Sequence, residues 1–371
     1  MNMRVGVIGG GQLARMMIPP AVEWGFELRV LAEQEGSSAH AAASHVGDYR
    51  DISTVLEFAD GLDVVTFDHE HVPADVLEAL HAQGVSVRPS PHALRAAQDK
   101  GVMRELLAGV DAPMPQWTLA TSTDDVRNFA GMVGGDKWVA KTPRGGYDGK
   151  GVKVFSRPEE LADWLSAGSI LLEEKVPFVS ELAQLVARSP SGEIAAWPAV
   201  STKQVGGVCS EVIAPALVNQ ETAARALEVA TAIADHLDVS GVLAVEMFVL
   251  ESGEVLVNEL AMRPHNSGHI FTELSRTSQF EQHLRAVLDL PLGSTELSAR
   301  AGVMVNIFGG LHHEKMSAVV GAHPGIKVHD YGKSARPGRK SGHVSVVGNE
   351  VEKLLHAARA AVTLIAHDGL A

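Results

Sequence analysis

Over the first 95 residues, short apolar and β-branched runs alternate with stretches in which apolar side chains recur at helical spacing. The strands are expected at residues 5–8, 28–31, 64–67 and 85–88, and two helices at 12–24 and 73–83. Thr54 and Glu57 are spaced as a capping box, which predicts that a further helix starts at Thr54. The alternation predicts a βαβ series built on a parallel sheet.

The pattern changes near residue 98, where a predicted helix at 99–107 leads into a proline-containing break at 112–115. Beyond the break, apolar runs and amphipathic stretches predict a small α+β lid. Its strands are expected at 117–119, 138–141, 152–155 and 170–173, and its helices at 123–132 and 158–166. The stretch from Lys141 to Gly151 joins two of these strands.

This stretch reads Lys-Thr-Pro-Arg-Gly-Gly-Tyr-Asp-Gly-Lys-Gly. Glycines allow backbone N–H groups to approach a polyanion, and the lysines and arginine supply positive charge. The loop is therefore predicted to be a phosphate lid, although an ordinary flexible hairpin loop has the same composition.

Residues 180–300 have a mostly antiparallel pattern, with a long amphipathic helix expected at 220–237. Strands are expected at 181–187, 194–200, 208–213, 242–250 and 255–260. A turn centred between Ser252 and Gly253 would place Glu246 directly opposite Glu259. Two facing carboxylates repel unless a cation lies between them, and Mg²⁺ prefers such oxygen ligands. The pair is predicted to bind metal; the alternatives are a bulge that shifts the register, or exposure of both side chains to water.

The C-terminal part is predicted to hold a strand at 302–308, a segment at 309–328, a loop at 331–343, a strand at 344–347 and a helix at 349–367. The loop carries four cations within eight positions, namely Lys333, Arg336, Arg339 and Lys340. A solvated basic turn is possible, but the glycines, the proline and the local charge reversal favour a phosphate clamp.

Composition limits the possible partners. The formal net charge of −14 argues against general binding to nucleic acid or to anionic membranes, so an anionic ligand needs a local basic patch. Cys209 is the only cysteine, which excludes an intrachain disulfide and fits a reducing cytoplasm. The N-terminal apolar run is interrupted by glycine and predicts neither a signal peptide nor a membrane span.

The first predicted helix follows a dinucleotide-type turn. Residues 9–14 match G-x-G-x-x-A, and Glu33 lies at the spacing of a ribose-binding acid. The same turn also serves doubly wound folds that bind other ligands, so NAD binding remains one alternative. Glu70 follows the strand expected at 64–67 and is a candidate hydrogen-bond acceptor for a ligand.

A glycine-lysine lid, a facing carboxylate pair and a distant basic cluster require a common explanation. One phosphorylated ligand does not need two clamps, so we infer a nucleoside triphosphate and a second phosphorylated substrate. That combination indicates a ligase. It leaves an NAD-dependent dehydrogenase and a non-catalytic nucleotide-binding protein as alternatives from other classes.

Several motifs resemble those of the ATP-grasp superfamily and, within it, the N5-carboxyaminoimidazole ribonucleotide synthetases of bacterial purine synthesis. The resemblance covers essentially the whole chain. Its carriers are Gly9-Gly-Gly-Gln-Leu13, Gln98-Asp-Lys100, Arg144-Gly-Gly-Tyr-Asp-Gly-Lys-Gly151, Asn258-Glu259, His265-Asn-Ser-Gly-His269, Arg336-Pro-Gly-Arg-Lys340 and Gly342-His343. A formate-dependent transformylase of the same superfamily is the nearest alternative.

The resemblance implies an α/β and α+β ATP-grasp fold divided into four parts. These are a Rossmann-like domain at 1–97, a lid region with its connecting helix at 98–178, a catalytic domain at 179–300 and a C-terminal substrate-binding segment at 301–371. It also implies ATP and Mg²⁺ as cofactors, bicarbonate as co-substrate, aminoimidazole ribonucleotide as acceptor, and a cytoplasmic homodimer.

The resemblance further implies residue roles. Lys141, Asp148 and Arg263 are the candidate catalytic residues, and Glu246 and Glu259 the metal ligands. The candidate nucleotide-binding residues are Lys100, Lys141, Gly146, Tyr147, Asp148, Gly149, Lys150, Gly151, Glu173, Glu174, Lys175, Val176, Glu181, Gln204, Asn258 and Glu259. The candidate ribonucleotide-binding residues are Gln12, Glu70, Tyr147, Asp148, Arg263, His265, Asn266, Ser267, Lys333, Arg336, Arg339 and Lys340. Gln204 departs from the pattern, because many family members carry histidine there.

Overall fold

The computed structural model describes residues 3–146 and 149–367. Its N-terminal part is a parallel sheet in the order β3-β2-β1-β4. The elements are β1 (Arg4–Ile8), α1 (Gln12–Trp24), β2 (Glu27–Ala32), β3 (Ala43–Val46), α2 (Ile52–Ala59), β4 (Val64–Phe67) and α3 (Ala74–Ala82). Because β1 and β4 are neighbours, the segments that follow them meet at the carboxyl edge of the sheet, where open α/β sheets bind ligands.

Two predictions for this part are wrong. Helix α2 begins at Ile52, and its cap is Asp51, whose carboxylate accepts a hydrogen bond from the Thr54 N–H at 2.9 Å. The strand expected at 85–88 is reduced to one bridge between Val65 and Val87. The aspartate supplies the capping oxygen three residues before the predicted threonine, so the capping-box spacing was misleading.

A second, antiparallel sheet has the order β5-β8-β6-β7. Helices α4 (Pro91–Gln98) and α5 (Lys100–Ala108) lead into it. Its elements are β5 (Trp117–Ala120), α6 (Thr123–Val133), β6 (Trp138–Lys141), β7 (Val152–Phe155), α7 (Ala162–Ala167) and β8 (Ile170–Glu174). The helix expected at 158–166 is divided into a 3₁₀ turn and α7.

The rest of the described chain is organised around a nine-stranded sheet in the order β14-β13-β9-β11-β12-β15-β17-β16, with β10 paired to β9. Its strands are β9 (Phe178–Arg188), β10 (Ile194–Ala196), β11 (Val200–Val205), β12 (Val208–Ala214), β13 (Gly241–Leu250), β14 (Val255–Ala261), β15 (Ala301–Gly309), β16 (Lys327–Asp330) and β17 (Arg336–Gly348). Its helices are α8 (Gln220–His236), α9 (Phe271–Leu274), α10 (Gln279–Val287), α11 (Met316–Ala322) and α12 (Val351–Ile365).

The antiparallel prediction for this region is confirmed, but the predicted loop at 331–343 is wrong. Strand β17 begins at Arg336 and pairs with β15 through two register shifts, so most of the basic segment is strand. The run expected as one strand at 194–200 forms β10 and the start of β11. Among the described residues, no helix is long and apolar enough to cross a membrane.

The hairpin of β13 and β14 contains a bulge. Near the turn, Val249 pairs with Val255, one residue away from the predicted register. Asn258 is then an extra residue in β14, and beyond it Glu246 pairs with Glu259 as predicted. A bulge can turn two successive side chains toward one face, and both Asn258 and Glu259 line the same cavity.

The Arg104 guanidinium, which is fully buried, holds this bulge in place. It donates to the Val257 carbonyl at 2.9 Å and to the Asn258 carbonyl at 3.0 Å. It also donates to Glu173 Oε1 from Nε at 2.9 Å and from a terminal nitrogen at 2.5 Å. Lys141 lies 2.8 Å from the other oxygen of Glu173. One buried network thus joins α5, the smaller antiparallel sheet and the large sheet.

Replacement of Arg104 by methionine should strongly destabilise the protein. Removing one partner of a buried ion pair typically costs about 3–5 kcal/mol, and the two bulge carbonyls lose their donor as well. We expect the urea unfolding midpoint to fall clearly. Arg127→Met is the matched control, because Arg127 makes its ion pairs on the surface; equal midpoints for the two variants would contradict the assigned role.

Candidate active site

A cavity of about 1380 Å³ lies between the three sheets and collects most of the predicted site residues. Its walls include Gln12, Glu70, Lys100, Lys141, Gly146, Gly149, Lys150, Glu173, Glu174, Lys175, Val176, Glu181, Gln204, Glu246, Asn258, Glu259, Arg263, His265, Asn266, Lys333, Arg336, Arg339 and Lys340. Gly151 and Ser267 are not on its walls. Tyr147 and Asp148 lie outside the described residues.

Two lysines mark one end of the cavity. Lys141 Nζ donates to Asn258 Oδ1 at 2.9 Å in addition to its contact with Glu173. Burial opposes ionisation of Glu173, but Lys141 and Arg104 outweigh it and lower the pKa of Glu173. Lys100 Nζ lies 3.2 Å from Glu259 Oε1. Both lysine side chains therefore lie against the carboxylate hairpin.

The facing carboxylates at Glu246 and Glu259 lie at the centre of the cavity wall. Burial raises the pKa of Glu246, but His265, Lys340 and Arg263 outweigh it, so the net shift is downward. His265 Nε2 lies 3.3 Å from Glu246 Oε1. Both carboxylates are thus matched by cations from opposite sides of the cavity.

This donor set fits Mg²⁺. Within residues 3–146 and 149–367, no group of three or more histidine, cysteine, aspartate or glutamate side chains is arranged to hold a metal. Mg²⁺ usually takes only one or two carboxylates and completes its shell with phosphate oxygens and water. Two facing carboxylates in a cavity with nearby lysines match the protein ligands that such a site requires.

Glu181, on the neighbouring strand β9, has an unusual environment. Burial, together with the negative charge of Glu246, raises the pKa of Glu181 to about 7. Glu181 pairs with Phe248 across β9 and β13, and the Phe248 ring stacks on Phe178 with centroids 4.6 Å apart. A carboxyl group whose pKa is raised to about 7 therefore lies on the strand next to an aromatic pair and within electrostatic reach of Glu246.

An apolar slot lies beside the lysines. Its walls are formed by Met103, Val139, Val154, Val176, Phe178, Phe248 and Leu260. Of these seven residues, only Val176 was predicted from the sequence. An apolar residue that lines a ligand slot has the same local sequence pattern as a core residue. Strands of the smaller and the larger antiparallel sheets, helix α5 and the loop before β9 contribute these side chains. Their meeting appears only in the tertiary fold.

The opposite end of the cavity is built from β4, the end of β14 and the basic segment. Glu70 Oε2 accepts from Arg263 Nε at 2.8 Å, and Glu70 Oε1 accepts from the Met262 N–H at 3.3 Å. Burial lowers the pKa of Arg263, but Glu70 outweighs it and raises the pKa further above its usual value. Lys333 donates to Gln12 and, at 3.3 Å, to the Lys340 carbonyl.

The dinucleotide-type turn is filled by the protein's own carboxylates. Asp68 accepts from the N–H groups of Gly11 at 2.5 Å, Leu13 at 3.0 Å and Ala14 at 3.1 Å. A side chain at Gly11 would collide with the Asp68 carboxylate, which explains the glycine. The helix N-terminus that would bind a pyrophosphate is thus occupied, and sequence reasoning missed Asp68.

Glu33, the expected ribose-binding acid, is also engaged. Its carboxylate lies 3.2 Å from His69 Nε2 and accepts from the Gly10 N–H at 3.3 Å. The hydrogen bond from His69 is the main reason that the pKa of Glu33 falls to about 2. These contacts argue against the dehydrogenase alternative.

The glycine loop closes onto a second glycine turn. Gly149 has a φ of 75° and lies so close to Gly206 that an added Cβ would stand 3.0 Å from the Gly206 carbonyl oxygen. Gln204 precedes that turn on β11, where the pairing with β12 shifts register. The loop therefore touches the turn that follows the strand carrying Gln204, and this turn lies on the cavity wall.

Comparison with known families agrees with this geometry. Residues 1–98 match the ribonucleotide synthetase preATP-grasp domain, residues 105–280 the ATP-grasp domain, and residues 302–357 the phosphoribosylaminoimidazole carboxylase C-terminal domain. The chain is 45% identical to N5-carboxyaminoimidazole ribonucleotide synthase of Mycobacterium tuberculosis, over 98% of this chain and 88% of the relative.

Solved structures give the same result. The synthetase from Thermus thermophilus superposes with a TM-score of 0.89 at 33% identity and covers 98% of both chains. The synthase from Aspergillus clavatus, in complex with ADP and 5-aminoimidazole ribonucleotide, superposes with a TM-score of 0.87 at 29% identity, also over 98% of both chains. The chain belongs to the N5-carboxyaminoimidazole ribonucleotide synthases, a family of ATP-grasp ligases.

Proposed function

We propose that the protein uses ATP and bicarbonate to carboxylate the exocyclic amine of 5-aminoimidazole ribonucleotide. The observation that carries the proposal is one cavity with cationic groups at both ends and facing carboxylates between them. One end suits a triphosphate and the other a ribonucleotide phosphate. The Aspergillus clavatus relative is in complex with ADP and 5-aminoimidazole ribonucleotide, which supports the use of two such ligands.

The nucleotide is proposed to bind at the lysine end. The apolar slot around Val139 and Val154 suits the adenine ring, and the backbone of residues 173–176 would bond its edge. Glu181 would accept hydrogen bonds from the ribose. Lys100 and Lys141 would contact the phosphates, and Gly146, Gly149, Lys150 and Gly151 would close over them.

Glu246 and Glu259 are the residues that would hold Mg²⁺ in the cavity. When bound, the metal would neutralise the charge that develops on the transferring phosphoryl group. Lys100 already pairs with Glu259, so this lysine would exchange that contact for phosphate oxygens as the nucleotide binds. Asn258 and Glu173 would keep Lys141 oriented through the same step.

The ribonucleotide is proposed to bind at the other end, with Lys333, Arg336, Arg339 and Lys340 around its phosphate. Gln12 and Glu70 would orient the sugar and base. Tyr147 and Asp148 are proposed to face this substrate from the lid, with Asp148 orienting the amine or accepting its proton; both lie outside the described residues.

The reaction would proceed in two steps. Bicarbonate attacks the γ-phosphorus, which forms carboxyphosphate and breaks the bond to ADP. Carboxyphosphate then breaks down to CO₂ and inorganic phosphate, which leaves the site, and the amine forms a bond to the CO₂ carbon and loses one proton. Arg263, with Glu70 holding its guanidinium, and His265, with Ser267 bonded to its Nδ1 at 2.8 Å, would bind the carboxyl group between the substrates. Closure of the glycine loop would exclude water from the short-lived intermediate.

We also propose that the protein is a cytoplasmic homodimer and that each chain is divided into four parts, at residues 1–97, 98–178, 179–300 and 301–371. Each follows from the family resemblance. The large sheet runs without interruption from β9 to β17, which supports a C-terminal segment that packs as a continuation of the catalytic domain.

The central test is release of ADP from ATP and bicarbonate, with and without 5-aminoimidazole ribonucleotide. We expect the ribonucleotide to stimulate ADP release strongly, because its amine consumes the intermediate. Arg336→Ala should raise the KM for the ribonucleotide much more than that for ATP, whereas Arg300→Ala, at an exposed position, should change neither. No stimulation of the wild-type enzyme would refute the proposed function.

Glu246→Gln and Glu259→Gln should each lower Mg²⁺-dependent ATP turnover by roughly 100-fold or more, because each removes half of the carboxylate charge that faces the metal. The measurement is kcat over a titration of Mg²⁺. Glu251→Gln, in the exposed turn of the same hairpin, is the matched control. Near-normal turnover in both site variants would rule out the metal assignment.

The pH dependence of ATP use should report Glu181. Its pKa of about 7 in the free protein means that the carboxylate, which accepts hydrogen bonds best, forms as the pH rises through 7. We therefore expect kcat/KM for ATP, which reports the free enzyme, to increase across this range. The titration of ATP itself also contributes to this rise. The Glu181→Gln variant should keep only that contribution, and a pH profile identical to that of the wild type would contradict the role proposed for Glu181.

A further inference from the structure

A row of polar side chains crosses the buried face of the large sheet behind the cavity. Asn306 lies directly opposite His343, and His343 directly opposite His329, so the three share one face of β15, β17 and β16. Ser345 lies two positions beyond His343 and points to the same face. Sheet faces that are covered by other elements are normally apolar, so this row needs an explanation.

The segment from His265 to Leu274 covers the row with matching polar groups. Asn266 and Asn306 exchange two amide hydrogen bonds, at 3.0 and 2.7 Å. The His269 ring stacks on His343 with centroids 5.0 Å apart. Glu273 Oε1 lies 2.7 Å from His329 Nε2. We call this double layer of Asn266, His269 and Glu273 on Asn306, His343 and His329 the polar seam.

Hydrogen bonding inside the polar seam is incomplete. Gln279 Oε1 accepts from the His265 N–H at 2.8 Å, so its Nε2 must be the donor to His269 Nδ1 at 2.9 Å. The neutral His269 ring therefore carries its proton on Nε2, which is buried and has no partner among the described residues.

The same is true of several neighbouring atoms. His343 Nδ1 lies 2.7 Å from the Tyr331 hydroxyl, while its Nε2 has no partner among the residues that the structure describes. The other buried atoms of this region without a described partner are Thr272 Oγ1, Glu273 Oε2, Ser275 Oγ and Ser345 Oγ. Buried polar atoms in native proteins are nearly always hydrogen-bonded, and internal water satisfies those that the chain does not.

The polar seam connects the cavity to the surface. Asn266 lines the cavity, whereas the His329 and Glu273 side chains at the other end are 27% and 13% exposed. From β15 to β16 the row spans two strand spacings, or roughly 10 Å. A few waters are enough to bridge that length.

We propose that the polar seam holds a chain of ordered waters that carries the proton released by carboxylation from the cavity to His329 and Glu273. This inference rests on the proposed function. Carboxylation forms an N–C bond between the amine and CO₂ and breaks one N–H bond, so each turnover releases one proton at the amine. The closed lid must exclude bulk water from carboxyphosphate, and the polar seam gives the proton a separate way out.

The test is chemical rescue at the exposed end. His329→Ala should lower kcat roughly 100-fold in weak buffer, the lower end of the range for loss of a proton-transfer group, and added imidazole should restore it while the KM values for ATP and for the ribonucleotide stay unchanged. His329→Gln keeps a hydrogen-bond donor for Glu273 but cannot take up a proton. This variant should therefore show the same decrease in kcat and still fold normally. His81→Ala, on an exposed helix position, should be unaffected.

A normal kcat for both His329 variants in weak buffer would overturn the proposal, and so would a loss that imidazole does not restore. An independent measurement is a high-resolution crystal structure of the wild type, in which ordered waters are expected on His269 Nε2 and His343 Nε2. A dry polar seam would overturn the proposal without any assay of activity. Failure of the proposed function would appear differently, as wild-type ADP release that the ribonucleotide does not stimulate.

Discussion

The shared carboxylate of Glu173 is the contact on which the rest of the cavity depends. Its two oxygens are divided between the Arg104 guanidinium and the Lys141 ammonium, and all three groups are buried. Arg104 also donates hydrogen bonds to the two carbonyl groups at the bulge of β14. Because an unpaired charge would be very costly in this interior, none of the three groups can move alone. The spacing between the lysine end and the carboxylate hairpin is therefore fixed by electrostatics rather than by apolar packing alone.

The facing carboxylates show what a sequence can and cannot predict. The pairing of Glu246 with Glu259 is confirmed, since strand pairing depends mainly on counting residues from a turn. The predicted turn was displaced, however, and the bulge at Asn258 corrects that displacement. The bulge needs the Arg104 donors, which come from a helix about 150 residues earlier in the chain. A local pattern contains no sign of such a partner.

Other differences between the predicted and the observed structure also arise from contacts between segments that are far apart in the chain. Residues 336–343 contain glycine, proline and four cations or hydroxyls, which is typical of a loop, yet they pair with β15 because that strand offers a partner edge. Asp68 looks like an ordinary residue at a strand end, but parallel pairing of β1 and β4 brings it under the first helix. The family resemblance identified about half of the residues on the cavity walls, whereas the apolar slot and the polar seam depend on which strand faces overlap.

Occupation of the first helix N-terminus by Asp68 has a consequence for substrate recognition. Doubly wound folds commonly bind a phosphate there through backbone N–H groups, but here those groups already serve a protein carboxylate. The proposed ribonucleotide phosphate must instead be bound by the side-chain cations of the 333–340 segment. Lys333 of this segment donates to Gln12, which belongs to the same helix whose N-terminus Asp68 occupies. The N-terminal sheet thus contributes orientation, and the large sheet contributes charge. Under the proposed function, a chain of net charge −14 binds two phosphorylated ligands because cations are concentrated at the two ends of one cavity.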